Sequence, residues 1–165
     1  MLETPQITRT AAQLTAVIQL TIPRSEIQSV MGPGFGELMS TLAAQGVAPT
    51  GPAFSHHFRM HPDTFEFEIG VPVATPIVAA GRVRPGVWPA IRVARAVLHG
   101  NYDGLASAWG EVDIWISANG LTPRSDYWES YTVGPATSPD PADWRTELSR
   151  PLAPEDVDPD EPTTT

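Results

Sequence analysis

The sequence predicts an α+β fold: tandem duplicated strand–helix–strand–strand units forming one antiparallel sheet, two helices on one face, and a central ligand groove. Three observations carry this. First, "GELMSTLAAQGVAP" (36–49) aligns without a gap on "GEVDIWISANGLTP" (110–123), offset by 74 positions (110 − 36). Gly36/Gly110, Glu37/Glu111, Ala44/Ala118, Gly46/Gly120 and Pro49/Pro123 are identical, and five identities in fourteen exceed the roughly one expected from average residue usage. Duplication is the better reading. Second, both segments end on a glycine with a proline just beyond, which is how helices stop. Third, "TFEFEIGVPV" (64–73) alternates, sending Phe65, Phe67 and Ile69 one way and Glu66 and Glu68 to water, as in a half-buried antiparallel strand.

In chain order, "LTAVIQLTI" (14–22) is rich in β-branched residues and ends at Pro23, so it reads as the first strand. The helix after it is expected to break near Met31, at "GPGFG", and to run again from about Gly34 to Gln45. "AFSHHFRM" (53–60) and the 64–73 run form a hairpin across "HPD". A Pro/Gly-rich linker is expected over roughly 74–87. The second copy reads as strand 89–98, a helix entered through "HGNYDG", and strands near 125–133 and 144–150, with "GPATSPDPAD" a loop between them. The domain is thus placed at 1–153, with halves of about 5–73 and 88–152. Residues 154–165, five acids among prolines and threonines, are expected to form a disordered acidic tail.

Composition narrows the function classes. The formal charge of −9 includes those five tail acids, leaving 14 acids against ten bases, all of them arginines scattered singly. No basic face of the kind a phosphate backbone requires is present, so direct nucleic-acid binding is not expected. No run approaches the ~20 apolar residues of a membrane span, and the N-terminus lacks the pattern of a secretory leader. The absence of cysteine removes thiolate zinc sites and fits a cytoplasmic location. His56, His57 and His61 do not make a metal site, because adjacent strand residues point to opposite faces. His99 is expected to cap or pack locally. "GPGFG" contains proline and lacks a lysine, so it is no phosphate loop, and no nucleophile elbow occurs. No cofactor is expected.

The segment "SDYWESYTV" (125–133) carries the functional signal. Alternation puts Tyr127, Glu129 and Tyr131 on one face, a carboxylate framed by rings, as a site for a flat or cationic molecule requires. The bland alternative is an edge glutamate paired with Arg124 or Arg145. The 74-residue offset places Ser55 opposite Glu129 across a pseudo-two-fold axis, makes His57 the mate of Tyr131, and pairs Phe35 with Trp109. Phe35, Phe65, Phe67, Trp109 and Tyr127 taken singly also fit a plain core. His57 reads as a groove-side hydrogen-bonding group.

These residues bear a resemblance. "HGNYDGLASAWGEVDIWISANGL", "DYWESYTVGPATSPDPADWRTELSRPL" and the upstream "FEIGVPV" resemble the GyrI-like (gyrase-inhibitor-like) domain, which also forms the effector-binding half of AraC- and MerR-type multidrug regulators. The resemblance covers about residues 14–152, and it is similar to the standalone members. It implies that Glu129 is the central ligand carboxylate, that Tyr131 lines the pocket, and that Trp144 packs on the ligand. The leading expectation is a small-molecule-binding protein for hydrophobic, often cationic xenobiotics. An alternative is a hydrolase of cyclopropane-bearing or other electrophilic compounds, with Glu129 and Tyr131 catalytic. A third is a protein-interaction module of gyrase-inhibitor type, with a partner not identified.

Overall fold

A computed structural model describes residues 1–154, so the expected disorder of the acidic tail lies outside the described residues. The strands are β1 (Gln6–Arg9), β2 (Gln13–Pro23), β3 (Phe54–Met60), β4 (Thr64–Pro72), β5 (Val83–Trp88), β6 (Arg92–His99), β7 (Tyr127–Val133) and β8 (Arg145–Pro151). The helices are α1 (Ile27–Ala44) and α2 (Leu105–Ala118). All strand pairings are antiparallel, in the order β1-β6-β8-β7-β3-β4-β2-β5.

That order reads as a palindrome about the β7–β3 junction. The first repeat contributes β3-β4-β2, the second β7-β8-β6. The junction register pairs Ser55 with Glu129 directly. They are also repeat mates, so the pseudo-two-fold axis passes between them, as the offset predicts. Helix ends match as well: α1 and α2 stop at Ala44 and Ala118, and Gly46 and Gly120 both take φ 68° beyond them, the left-handed turn that favours glycine.

Each repeat buries its own core under its own helix. Ala16, Ile18, Leu20, Phe67, Ile69 and Val71 pack with Leu38 and Leu42 of α1. Ala94, Ala96, Leu98 and Leu148 pack with Ala108, Val112 and Ile116 of α2. Alternation accounts for both sets, which are the same-parity residues of neighbouring strands. Val17, Phe54 and Trp128, of opposite parity, form a smaller cluster with Trp88 on the helix-free face.

Two expectations are corrected. The helix does not break at Met31: α1 continues through Pro33. Its N-terminal turns bury Ile27, Val30 and Met31 against the first core, and that packing outweighs the one hydrogen bond Pro33 removes. Gly34 lets the helix lie close to the sheet, since a Cβ there would sit 2.6 Å from Ile69 Cδ1. The 74–87 segment is not all linker either, for it contains β5. Pro85 is tolerated because β5 is an edge strand of the sheet, with β2 its one neighbouring strand among the described residues. The short strand β1 also lies ahead of the first strand read from the sequence.

β1 and β5 are exchanged between the repeats. β1 precedes β2 in the chain yet pairs with β6, and β5 precedes β6 yet pairs with β2. In a flat sheet the two strands of each such succession would stand six inter-strand spacings apart, about 29 Å. The chain from Arg9 to Gln13, or from Trp88 to Arg92, spans at most about 15 Å. The sheet is therefore strongly curled, and Thr10 ties the two connections together through Ile91 and Pro89.

Candidate ligand site around Glu129

Strand alternation sends Ser55 and His57 of β3 and Tyr127, Glu129 and Tyr131 of β7 to the helix-covered face. Glu129 sits there only 8% exposed. Its carboxylate accepts from Trp109 Nε1 of α2 at Oε1 (2.9 Å) and from the Tyr131 hydroxyl at Oε2 (3.0 Å). Neither Arg124 nor Arg145 reaches it. The Arg124 amide donates to Pro151 O, and the Arg145 guanidinium donates to Ala142 O and Trp144 O.

A chain of hydrogen bonds extends from this carboxylate. Ser55 Oγ lies 2.8 Å from Tyr131 Oη and 3.2 Å from His57 Nε2. With the Tyr131 proton given to Glu129, Ser55 donates to Tyr131 and His57 Nε2 donates to Ser55. That fixes the Nε2–H tautomer and leaves Nδ1, which has no partner among the described residues, a bare buried acceptor. His57, Ser55, Tyr131 and Glu129 are two pairs of repeat mates, so the duplication built one continuous network across its own axis.

Rings close around it. His57 lies flat between Phe67 (5.0 Å, 12°) and Tyr127 (4.8 Å, 6°), and Phe65 meets its edge. Trp109 stands edge-on to Tyr127, and Phe35 of α1 edge-on to Tyr131. Of the repeat mates, Phe35 meets Tyr131 and Trp109 meets Glu129, and those two residues are themselves joined by a hydrogen bond. Trp144 does not meet this group in a ring contact; it stacks on Tyr102, which in turn meets Tyr131. Tyr102 is a member that the sequence reasoning missed, although "HGNYDG" contains it. Arg24 caps Phe65 and Arg150 approaches the face of Tyr127.

Electrostatics follow from burial. Burial pushes the Glu129 carboxyl above the ordinary carboxylate range, opposed by the hydrogen bonds from Trp109 and Tyr131. Burial and the adjacent Glu129 together raise Tyr131 well above 10 and move Tyr127 up to about 12. Burial, reinforced by His56 and Arg24, holds His57 down to about 4, so it is neutral at physiological pH. His56 faces away, stacked on Trp128 between Asp126 (2.8 Å) and Glu68 (3.4 Å). His99 pairs with Glu3 rather than with its own strand end. No group of three or more His, Asp or Glu among the described residues is placed to hold a metal, and no helix among them is long and apolar enough to cross a membrane.

Residues 3–153 match the family model of the GyrI-like small molecule binding domain. No curated protein sequence matches. Among solved structures, the EcmrR C-terminal domain superposes with a TM-score of 0.82 at 21% identity, covering 92% of this chain and 98% of that domain. The chain spans 57% of the EcmrR chain in the EcmrR–DNA complex (TM-score 0.81, 21% identity, 90% of this chain). SAV2435 bound to tetraphenylphosphonium gives 0.61 at 13% identity over 92% of this chain and 94% of that one. A hydrolase encoded by lin2189 from Listeria innocua gives 0.62 at 11% identity, over 90% and 91%. At these identities the structural likeness establishes the fold.

Proposed function

We propose, from the premise that this chain belongs to the GyrI-like family of small-molecule-binding domains, that it takes hydrophobic cations of aromatic character at Glu129. One observation carries the proposal: a carboxylate buried to 8% exposure, with no cationic side chain among the described residues against it, enclosed by aromatic residues. A protein that buries a charge normally supplies an opposite one, because desolvation costs several kcal/mol. Here the countercharge is left to the ligand. Trp109 and Tyr131 hold the carboxylate in place as neutral donors, and an aromatic face brought against a bound cation is worth about 0.5–2 kcal/mol. SAV2435, of the same fold, is described bound to tetraphenylphosphonium, a cation of that chemistry.

A second reading is hydrolysis. The lin2189 structure is described as a hydrolase, and a carboxyl raised by burial is suited to taking a proton from water in attack on an electrophilic ring, with Tyr131 steadying it. Both readings use Glu129, but only hydrolysis consumes its ligand. Mass spectrometry of a cyclopropane-bearing alkylator after incubation separates them.

The test of the binding reading is Glu129→Gln, which keeps shape and removes charge. Tetraphenylphosphonium should lose about 2–4 kcal/mol of affinity, since its buried countercharge is gone. Neutral triphenylphosphine oxide should change far less. Equal tetraphenylphosphonium affinity in both proteins overturns the reading.

A further inference from the structure

The helix-free side of the curled sheet carries a solvent-open cavity of about 350 Å³ that the Glu129 site does not use. It exists because of the two short connections that draw the sheet edges together. Its wall is shared by the β1–β2 connection, by Trp88 at the end of β5, and by Phe54, Arg95, Ser130 and Glu147 from the middle of the sheet. Ser130 is the neighbour of Glu129 in β7 and points the other way, so one strand separates the two places.

The chemistry of this wall is opposite to that around Glu129. Phe54, Trp88 and Trp128 form an aromatic stack, Trp88 lying on Trp128 at 3.9 Å and 21° and edge-on to Phe54 at 5.3 Å. Trp128 supports Trp88 from behind the wall, and the indole N–H groups of both are buried without an acceptor among the described residues. Among the charged residues of the wall, Glu147 is spoken for by Arg95 (3.4 Å), whose Nε also donates to Ser149 Oγ. The Arg9 side chain makes no ion pair or hydrogen bond among the described residues, while its backbone belongs to the β1–β6 ladder. What remains on this wall is the Arg9 guanidinium beside the aromatic residues Phe54 and Trp88.

We propose that this cavity is a second small-molecule site, for a planar aromatic monocarboxylate. Its ring lies against Trp88 and Phe54, and its carboxylate pairs with Arg9, a planar fork that matches carboxylate geometry. The volume suits a bicyclic acid, being at the small end of ligand pockets. The inference does not rest on the Glu129 reading, since it concerns other residues and the opposite ligand charge.

The experiment titrates 2-naphthoate and its neutral isostere 2-naphthamide against the full chain, by tryptophan fluorescence and calorimetry. Wild type should bind naphthoate saturably and naphthamide about tenfold more weakly. Arg9→Gln, an exposed substitution that leaves the core untouched, should weaken naphthoate about tenfold and leave naphthamide unchanged. Tetraphenylphosphonium should neither compete with naphthoate nor respond to Arg9→Gln. Absence of saturable naphthoate binding at millimolar concentration, equal naphthoate affinity in both proteins, or loss of naphthoate binding in Glu129→Gln would each overturn the proposal.

Discussion

His57→Phe isolates the cost of a buried histidine beside the carboxylate network. The ring keeps its place between Phe67 and Tyr127, while the hydrogen bond to Ser55 and the unpartnered Nδ1 both disappear. Losing the bond costs about 1 kcal/mol, and removing a buried unsatisfied acceptor returns a similar amount, so at pH 7 the two proteins should agree within about 1 kcal/mol. Acidification separates them. The folded-state value of about 4 lies below the ordinary 6.5. As pH falls below 6.5, the unfolded chain therefore takes up a proton that the folded protein refuses, and stability drops. Protonation would place a hydrogen on Nδ1 where nothing accepts it, which is the structural origin of that refusal. At about 1.4 kcal/mol per pH unit, the wild type should lose about 2 kcal/mol between pH 7 and 5 from this group alone. His57→Phe should lose none of it. Urea unfolding at both pH values reads the difference as roughly 1 M in midpoint. His56 and the carboxylates titrate in both proteins and cancel in the comparison. Parallel loss of stability in wild type and variant would refute the reasoning, and with it the closed, dry environment assigned to His57.

Other consequences are equally open to measurement. Burial raises Glu129 in the free protein and a bound cation favours its ionised form, so tetraphenylphosphonium affinity should increase with pH until Glu129 is ionised unaided. Calorimetry in buffers of different ionisation enthalpy should register the released proton, and a flat profile would count against the coupling. Gly70→Ala should destabilise by about 2–3 kcal/mol in thermal unfolding, because the new methyl would meet the Ala16 carbonyl at 2.8 Å and the Phe54 ring at 2.7 Å. Gly36→Ala, helical with nothing within 4 Å, should instead stabilise by about 0.5–1 kcal/mol, and a loss there would show that α1 is more crowded than described.

What the sequence disclosed was local or symmetric. The pairing of Ser55 with Glu129 was legible because alternation has a period of two and the repeat supplied the register. The ends of both helices were legible because glycine and proline mark them. β5 was not, since "VRPGVW" has a proline and a glycine inside it and owes its extended form to β2 alongside. Nor was the unbroken α1, where packing of Val30 and Met31 overrides the signal of Pro33. Tyr102 was visible as a motif residue, but its contact with Tyr131 joins positions that only the folded sheet brings together. The helix-free cavity was hidden for the same reason, because curl is a property of strand order and connection length taken together.

The register at the β7–β3 junction has a further consequence. In a homodimer of single repeats with the same pairing, whichever residue stood at this position would face its own copy. Two glutamates there, about 5 Å apart and dry, would share one proton, as closely paired carboxylates do. Two serines would offer no charge at all. Joining the halves in one chain let the copies diverge, so that Ser55 now donates where a second carboxylate would have repelled. A single chain with two unlike halves can thus place one carboxyl at the point where exact symmetry would demand two or none.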